Sequence, residues 1–329
     1  MNSKDLPSSS YNANRRLLLK AGLIATSTLA LGATEMGRAL AAKSEVHSGL
    51  THNTTPNRYI EVAGIRYAYR RLGASKGIPL LLLQHFRGTM DWWDPAVVDG
   101  LAANRPVILF DNRGVGLSGG EVPADMKAMA SDAANFIKAL GLIQIDVLGF
   151  SMGGFIAQEL ALAEPTLVRR VILAGTGPQG GQGSIAPEVL AAITVYPDAG
   201  ANRAMAFFTP SQASQAAARD FIARTQQRVE REPLSSLQAM QAQGAAIGAW
   251  GAASNSEYNQ RLAQAKQPFL VVNGSNDLIV ATVNSVALYQ GLPNAQLILY
   301  PDSGHGAIFQ HHTLFVKHAA LFLDSVKAL

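Results

Sequence analysis

The chain has 329 residues, 48% of them hydrophobic, and it carries a formal net charge of +4. That length and apolar content are enough for one large hydrophobic core. The chain contains no cysteine, which excludes disulfide bonds, thiolate metal sites and a cysteine nucleophile.

Residues 1–41 have the features of a secretory signal peptide. Residues 14–20 resemble the twin-arginine export motif of bacterial proteins, and an apolar stretch over residues 21–33 follows them. The alternative is a membrane anchor, but this stretch is shorter than the roughly 18 apolar residues that a spanning helix needs. We therefore expect cleavage after Ala41, twin-arginine export to the periplasm or the medium, and no stable membrane insertion afterwards.

Cleavage at this site would change the charge of the protein. It would remove five basic and two acidic side chains, which lowers the formal net charge from +4 to +1. No basic stripe remains that would bind nucleic acid, so we expect no nucleic-acid partner. Residues 42–56 are mainly polar and predict a linker.

From residue 57 onward, apolar patterns typical of strands and helices alternate. Residues 59–72 alternate around Gly64, which predicts a β-hairpin. Apolar runs typical of strands buried on both faces follow at residues 79–84, 106–110, 144–148, 168–174, 269–273 and 295–300. Apolar residues at helical spacing predict helices over residues 125–140, 155–163 and 311–326. This alternation predicts a doubly wound α/β domain.

Residues 178–267 differ in character from the rest of the chain. They are rich in alanine, glutamine and serine, have few strand signals and are helical in pattern. A structureless loop of this length is implausible in a compact domain. We therefore predict a helical cap inserted between two parts of the core, residues 57–177 and 268–329.

Residues 149–154 contain a candidate nucleophile. Ser151 is bracketed by glycines directly after a predicted strand and before a predicted helix, which is the G-x-S-x-G pattern of a sharp strand-to-helix turn. The small neighbours allow two chain segments to approach closely. The helix that follows offers free backbone N–H groups to a developing oxyanion.

A serine nucleophile needs a base, and the base needs an acid that orients it. Of the seven histidines, His305 lies in a glycine-flanked loop after the last predicted strand, where open α/β sheets place their sites. Asp277 directly follows another predicted strand and is the favoured acid. Asp302, three residues before His305, is the alternative acid, and it could instead form a local hydrogen bond in its turn.

These residues resemble the α/β-hydrolase superfamily, which supplies its nucleophile, acid and histidine in the same chain order. Residues 111–118 resemble the D-x-R-G-x-G-x-S turn of that family, and residues 84–88 resemble its H-G segment. The resemblance covers roughly residues 57–329. It implies an α/β-hydrolase fold, that is, a mostly parallel, doubly wound sheet with an inserted helical cap.

The resemblance also implies an oxyanion hole. By analogy with the family, the backbone N–H groups of Met152 and Phe86 would bind the oxyanion. The family usually has glycine directly after the histidine of its H-G segment, whereas Phe86 follows His85 in this chain. This departure places an aromatic ring near the expected pocket.

The activity implied by the resemblance is acyl transfer through an acyl-enzyme. Ser151 would attack a carbonyl, His305 would transfer its proton, and Asp277 would stabilise the imidazolium. The nearest subgroups are cap-bearing esterases and cofactor-free haloperoxidases, so we expect a serine hydrolase acting on carboxylic esters or related acyl substrates. Two alternatives remain. One is a perhydrolase that uses the same triad, and the other is a ligand-binding receptor of this fold with little turnover.

Four aromatic residues are the candidates for binding a small acyl substrate: Trp92, Trp93, Phe207 and Trp250. Residues 114–119 and 175–180 match G-x-G-x-x-G, but neither is followed by a helical pattern, so we expect no dinucleotide site. No metal-ligand spacing is present. We therefore expect neither a cofactor nor a metal, and the sequence specifies no oligomeric state.

Overall fold

The computed structural model describes residues 49–183, 185–196, 205–254 and 256–325. The predicted signal peptide, the first part of the predicted linker and the end of the last predicted helix lie outside these ranges. Within the described ranges, no helix has both the length and the apolar content needed to cross a bilayer.

One eight-stranded sheet forms the centre of the described structure, in the strand order β1-β2-β4-β3-β5-β6-β7-β8. The strands are Arg58–Val62 (β1), Ile65–Gly73 (β2), Leu80–Leu83 (β3), Pro106–Phe110 (β4), Ile145–Phe150 (β5), Val168–Ala174 (β6), Phe269–Gly274 (β7) and Ala295–Tyr300 (β8). β2 is antiparallel to β1 and β4, and all pairs from β4 to β8 are parallel. The predicted hairpin and the six other predicted strands are confirmed.

The hairpin turn has the backbone that its two residues predict. Ala63 and Gly64 both have positive φ angles, 51° and 79°. Two consecutive left-handed residues match the right-handed twist of the flanking strands. The turn therefore sets the register in which Val62 pairs with Ile65.

Helices cover both faces of the sheet. They are Pro95–Ala102 (α1), Met126–Ala139 (α2), Met152–Ala163 (α3), Pro187–Thr194 (α4), Gln212–Thr225 (α5), Leu237–Ala252 (α6), Ser256–Leu262 (α7), Val283–Gly291 (α8), Ala307–Gln310 (α9) and His312–Asp324 (α10). Along β3, Leu81 and Leu83 pack in the cluster that contains α2 and α3, and the alternate leucines pack with α1 and α10. The apolar runs are continuous because both faces of each central strand are buried.

The end of the chain differs from the single helix predicted over residues 311–326. α9 and α10 are separated at His311, whose backbone (φ −104°, ψ 33°) is not helical. The His311 ring stacks on Tyr300, and its Nε2 atom lies 3.1 Å from the carbonyl oxygen of Pro301. These contacts hold His311 against the end of β8.

Helices α4 to α7 all lie between β6 and β7, and we call residues 178–267 the insert. Its described residues form helices, turns and loops without a strand. Two of these helices, α6 and α7, contribute buried residues to the cluster that contains α3. α5 contributes buried residues to the cluster on the opposite face of the sheet.

A buried ionic cluster joins the insert to the sheet. The Nη2 atom of Arg70, on β2, donates to Asp91 at 2.7 Å and to Glu232 of the insert at 2.8 Å. All three side chains are at most 1% exposed. Burial raises the pKa of Glu232, and the positive charge of Arg70 opposes that shift.

A second contact anchors the described part of the predicted linker. The Arg228 Nη1 atom donates to the carbonyl oxygens of His52, Asn53 and Thr55 at 2.9–3.2 Å. The backbone N–H of His52 also donates to Asp99 on α1. These hydrogen bonds tie residues 52–55 to the insert and to α1. They also supply acceptors to the buried Arg228 guanidinium, which would be costly to bury without them.

Replacing Arg70 by methionine should destabilise the protein strongly at neutral pH. The change leaves two buried carboxylates without their main counter-charge, which costs about 3–5 kcal/mol of unfolding free energy. Burial raises the folded-state pKa of Glu232 above its unfolded value, so the penalty of ionisation grows as pH rises and shrinks as pH falls towards the unfolded pKa. The loss should therefore be smaller at pH 5 than at pH 7 in urea denaturation.

The matched control is Lys138→Met, which removes the half-exposed ion pair between Lys138 and Glu164. It should cost less than about 1 kcal/mol at either pH. Equal losses for the two variants would contradict the structural role of the buried cluster.

Candidate active site

Ser151 lies at the sharp turn between β5 and α3. Its backbone angles are φ 56° and ψ −120°, a conformation that costs an L-residue free energy and needs support from its surroundings. The Ser151 N–H donates to the carbonyl oxygen of Ala174 at 2.9 Å, and the Thr176 hydroxyl donates to the Ser151 carbonyl oxygen at 2.9 Å. The end of β6 and the residues after it therefore hold the strained turn.

Two glycines allow the turn to form. A Cβ atom at Gly153 would overlap the carbonyl oxygen of Leu83, at the end of β3. A Cβ atom at Gly149 would overlap the carbonyl oxygen of Gly153. The first turn of α3 can therefore approach the sheet only because both residues lack a side chain.

His305 and Asp277 form a buried pair at the ends of neighbouring strands. His305 Nδ1 lies 2.8 Å from Asp277 Oδ2, and both side chains are at most 1% exposed. Asp277 Oδ1 accepts the N–H groups of Ile279 and Val280 at 2.8 Å and 3.0 Å, which orients the carboxylate. Because a carboxylate can only accept, His305 Nδ1 carries the proton and Nε2 is left as the basic nitrogen.

Ser151 and His305 line the same small cavity of about 20 Å³. Ser151 follows β5, Asp277 follows β7 and His305 follows β8, so all three lie where the parallel strands end. The structure therefore brings the three predicted residues to one edge of the sheet.

Asp302, the alternative acid, makes a different set of contacts. Its carboxylate accepts the hydroxyl groups of Ser211 at 2.6 Å and Thr209 at 2.9 Å. These hydrogen bonds, that of Ser211 first, lower the pKa of Asp302. The hydrogen-bonded partner of His305 is therefore Asp277, and Asp302 connects its own turn to the start of α5.

The two predicted oxyanion donors both lie beside Ser151. Met152 is the first residue of α3, where N–H groups have no acceptor within the helix. Phe86 follows β3 and lines the small cavity together with Ser151. The Gln84 side chain orders this loop, since it accepts the His85 N–H at 2.9 Å and donates to the Thr89 carbonyl oxygen at 3.1 Å.

Arg87, next to Phe86, connects this loop to the insert. Its backbone N–H donates to Gln243 Oε1 at 2.8 Å, and its carbonyl oxygen accepts the Ser235 hydroxyl at 2.8 Å. Its guanidinium donates to the carbonyl oxygens of Ile193 and Val195. No local sequence pattern marks Arg87 or Gln243 as part of the site, because their partners are more than 100 residues away.

A larger cavity of about 300 Å³ is also lined by Ser151. Phe86 and Phe155 line it from the core, and α4 and α6 line it from the insert. Most of the lining is apolar, and among the described lining residues there is no aspartate, glutamate, lysine or arginine. Such a surface is typical of a pocket for an uncharged, apolar group.

Two of the four aromatic candidates line the cavities and two do not. Trp250 lines the larger cavity, and Phe207 lines the small one. Trp92 and Trp93 are at most 4% exposed, belong to the hydrophobic core and are not among the lining residues of either cavity. They pack inward because the loop after Phe86 leads into a buried 3₁₀ turn against α1.

The remaining sequence motifs have structural contacts. Asp111 is buried and accepts the N–H groups of Met90 and Leu117, both at 2.9 Å, which holds the 111–118 turn. Neither G-x-G-x-x-G segment opens a helix. Over the part of the chain that the structure describes, no group of three or more histidine, aspartate or glutamate side chains could hold a metal ion.

Comparisons with known proteins agree with this architecture. A family model described as the alpha/beta hydrolase fold matches residues 78–312. A solved alpha/beta hydrolase fold protein from Chitinophaga pinensis is 42% identical with a TM-score of 0.78, covering 84% of this chain and 100% of that one.

Two curated relatives carry more specific names. The putative carbamate hydrolase RutD of Agrobacterium fabrum is 27% identical over 251 residues, which is 74% of this chain and 92% of that protein. The putative non-heme bromoperoxidase BpoC of Mycobacterium tuberculosis is 27% identical over 272 residues, 77% of this chain and 96% of that protein. The family match and the hydrolase names are consistent with a hydrolase.

Replacing Gly153 by alanine should disrupt the turn. The new methyl group would overlap the Leu83 carbonyl oxygen, so α3 must move away from β3. We expect a loss of about 2 kcal/mol or more of unfolding free energy, measured by urea denaturation. Gly248→Ala is the control, because no heavy atom lies within 4 Å of a Cβ atom at that position. A similar loss of stability in Gly248→Ala would show that the overlap at Gly153 is not the cause.

Proposed function

This chain belongs to the alpha/beta hydrolase fold family, and we propose that it is a serine hydrolase that cleaves carboxylic esters or related acyl substrates through an acyl-enzyme. The observation that carries the proposal is the buried hydrogen bond between His305 and Asp277, together with the small cavity that His305 and Ser151 both line. A neutral imidazole oriented by a carboxylate is the base that a serine nucleophile needs.

The first half of the proposed reaction forms the acyl-enzyme. The Ser151 hydroxyl oxygen attacks the substrate carbonyl carbon while His305 Nε2 accepts its proton. Asp277 stabilises the resulting imidazolium through its hydrogen bond to Nδ1. The proton then passes from Nε2 to the leaving group, which departs as an alcohol.

The negative charge on the carbonyl oxygen would be stabilised by backbone N–H groups. We assign this role to Met152, at the start of α3, and to Phe86, in the loop after β3. Fixed N–H donors are effective because they do not have to reorient as the charge develops. The contacts of Gln84 and Arg87 support the Phe86 loop in one conformation.

The second half of the proposed reaction restores the enzyme. His305 Nε2 accepts a proton from water, whose oxygen attacks the acyl carbon. The carboxylic acid leaves, and Ser151 regains its proton from the imidazolium. No cofactor takes part in either half of this scheme.

A second candidate is a perhydrolase, in which hydrogen peroxide replaces water in the second half and a peracid is released. The similarity to the putative non-heme bromoperoxidase of Mycobacterium tuberculosis favours this candidate. Bromination of an organic acceptor in acetate, bromide and hydrogen peroxide would measure it. A peroxide-dependent rate that exceeds ester hydrolysis under the same conditions would favour the perhydrolase over the esterase.

We also propose that the protein acts outside the cytoplasm. The twin-arginine-like motif and the apolar stretch of residues 1–41 support this location. A fusion of these residues to a reporter that folds before export would appear in the periplasmic fraction, and retention in the cytoplasm would contradict the proposal.

Ser151→Ala should abolish hydrolysis of p-nitrophenyl esters from acetate to laurate. Removal of the nucleophile should lower the turnover number about 10³-fold or more, since only the oxyanion donors and binding remain. The visible absorbance of the released p-nitrophenol measures the rates of both proteins. Equal rates for the two proteins would refute the proposed role of Ser151.

Asp277→Asn and Asp302→Asn should separate the two acids. Asparagine at 277 favours the wrong imidazole tautomer and should lower the turnover number by about 10⁴-fold. Asp302 contacts Ser211 and Thr209 rather than His305, so asparagine at 302 should leave the turnover number within about tenfold of the parent value. The reverse pattern would assign the acid to Asp302.

A further inference from the structure

Helix α6 lines the larger cavity with residues that include two glycines. Gly244, Ile247 and Gly251 all line this cavity. They are three and four residues apart, so they share one face of the helix. Trp250 of the same helix lines the cavity as well, and its ring stacks on Phe155 of α3.

Neither glycine is required by the backbone or by packing. Both lie inside a helix and neither has a positive φ angle. A Cβ atom at either position would have no heavy atom within 4 Å. Both glycines are exposed to solvent where they line the cavity, so they lie at its open edge. Glycine is an unfavourable residue inside a helix, so what these two positions contribute is an unobstructed edge of the cavity.

The larger cavity suits one chemical class of group. Its described lining residues carry no charge, so a charged group would lose hydration without gaining a counter-ion. Ser151 lies in the same lining, which places the reacting carbonyl at one side of the cavity. An uncharged apolar chain or ring attached to that carbonyl fits these conditions.

We propose that Gly244 and Gly251 determine substrate size, by leaving room in the larger cavity for the uncharged, apolar part of the acyl substrate. This inference rests on the proposed serine hydrolase function. The space that the two glycines leave open sets how long an apolar group can be bound beside Ser151.

Gly248 provides a matched comparison on the same helix. Like the other two, it is an interior glycine with no heavy atom within 4 Å of a Cβ position. Unlike them, it does not belong to the lining of the larger cavity. A leucine at 248 therefore makes the same chemical change to the helix without filling the cavity.

The test compares Gly244→Leu, Gly251→Leu and Gly248→Leu in the full chain. For each variant, kcat/KM is measured with p-nitrophenyl acetate, butyrate, octanoate and laurate, and with a matching series of alkyl acetates. Each methylene excluded from an apolar pocket costs about fourfold to tenfold in kcat/KM. We expect Gly244→Leu and Gly251→Leu to lose at least about tenfold on the longest members of one series, and about twofold or less on the shortest.

Gly248→Leu should retain the parent chain-length profile in both series. Melting temperatures of the three variants should equal or exceed that of the parent, because leucine is a better helix former than glycine. Unchanged profiles in Gly244→Leu and Gly251→Leu, or the same shift in Gly248→Leu, would overturn the inference.

A binding measurement separates this inference from the proposed function. Hexanol and decanol are titrated by calorimetry into Ser151→Ala protein carrying each leucine substitution. Leucine at 244 or 251 should weaken decanol binding at least about tenfold relative to leucine at 248. Equal decanol affinities in the Gly244→Leu, Gly251→Leu and Gly248→Leu proteins would overturn the inference. Absence of Ser151-dependent ester hydrolysis in the parent protein would instead refute the proposed function, and the binding measurement would still be valid.

Discussion

The left-handed backbone of Ser151 is the constraint around which the site is arranged. This conformation is strained, and it persists because Ala174 of β6 accepts the serine N–H and the Thr176 hydroxyl donates to the serine carbonyl oxygen. The turn also requires α3 to contact the end of β3, which only a glycine at 153 permits. As a result, Ser151, which lines both cavities, lies next to the first N–H groups of α3, which have no acceptor within the helix.

Among the contacts that couple the insert to the rest of the protein, two involve fully buried arginines. Arg70 joins β2 to Glu232, and Arg87 joins the loop after β3 to α4 and α6. The second contact matters for chemistry, because Arg87 is adjacent to Phe86, the proposed oxyanion donor. Helix α6 thus carries both a support for this loop, Gln243, and part of the cavity lining. A substitution in α6 can therefore change both the lining of the larger cavity and the position of the Phe86 loop.

Local patterns predicted most elements because their physical causes are local. The hairpin, the buried strands and α2 follow from the spacing of apolar residues and from residues such as Gly64, which suits a tight turn. Expectation and structure differ where a distant contact decides the outcome. Trp92 and Trp93 were expected in the pocket, whereas both are buried in the hydrophobic core and line neither cavity. The last predicted helix is interrupted at His311, whose ring is held by Tyr300.

The sequence by itself determined the α/β architecture, the position of Ser151 in a tight turn, and the order in which serine, aspartate and histidine follow their strands. These properties depend on periodicity and on neighbours within a few residues. Only the tertiary structure decided which aspartate binds His305, which aromatic residues line the cavities, and that Arg87 connects the loop to the insert. These outcomes depend on contacts between residues far apart in the chain, whose partners are determined by packing rather than by any local pattern.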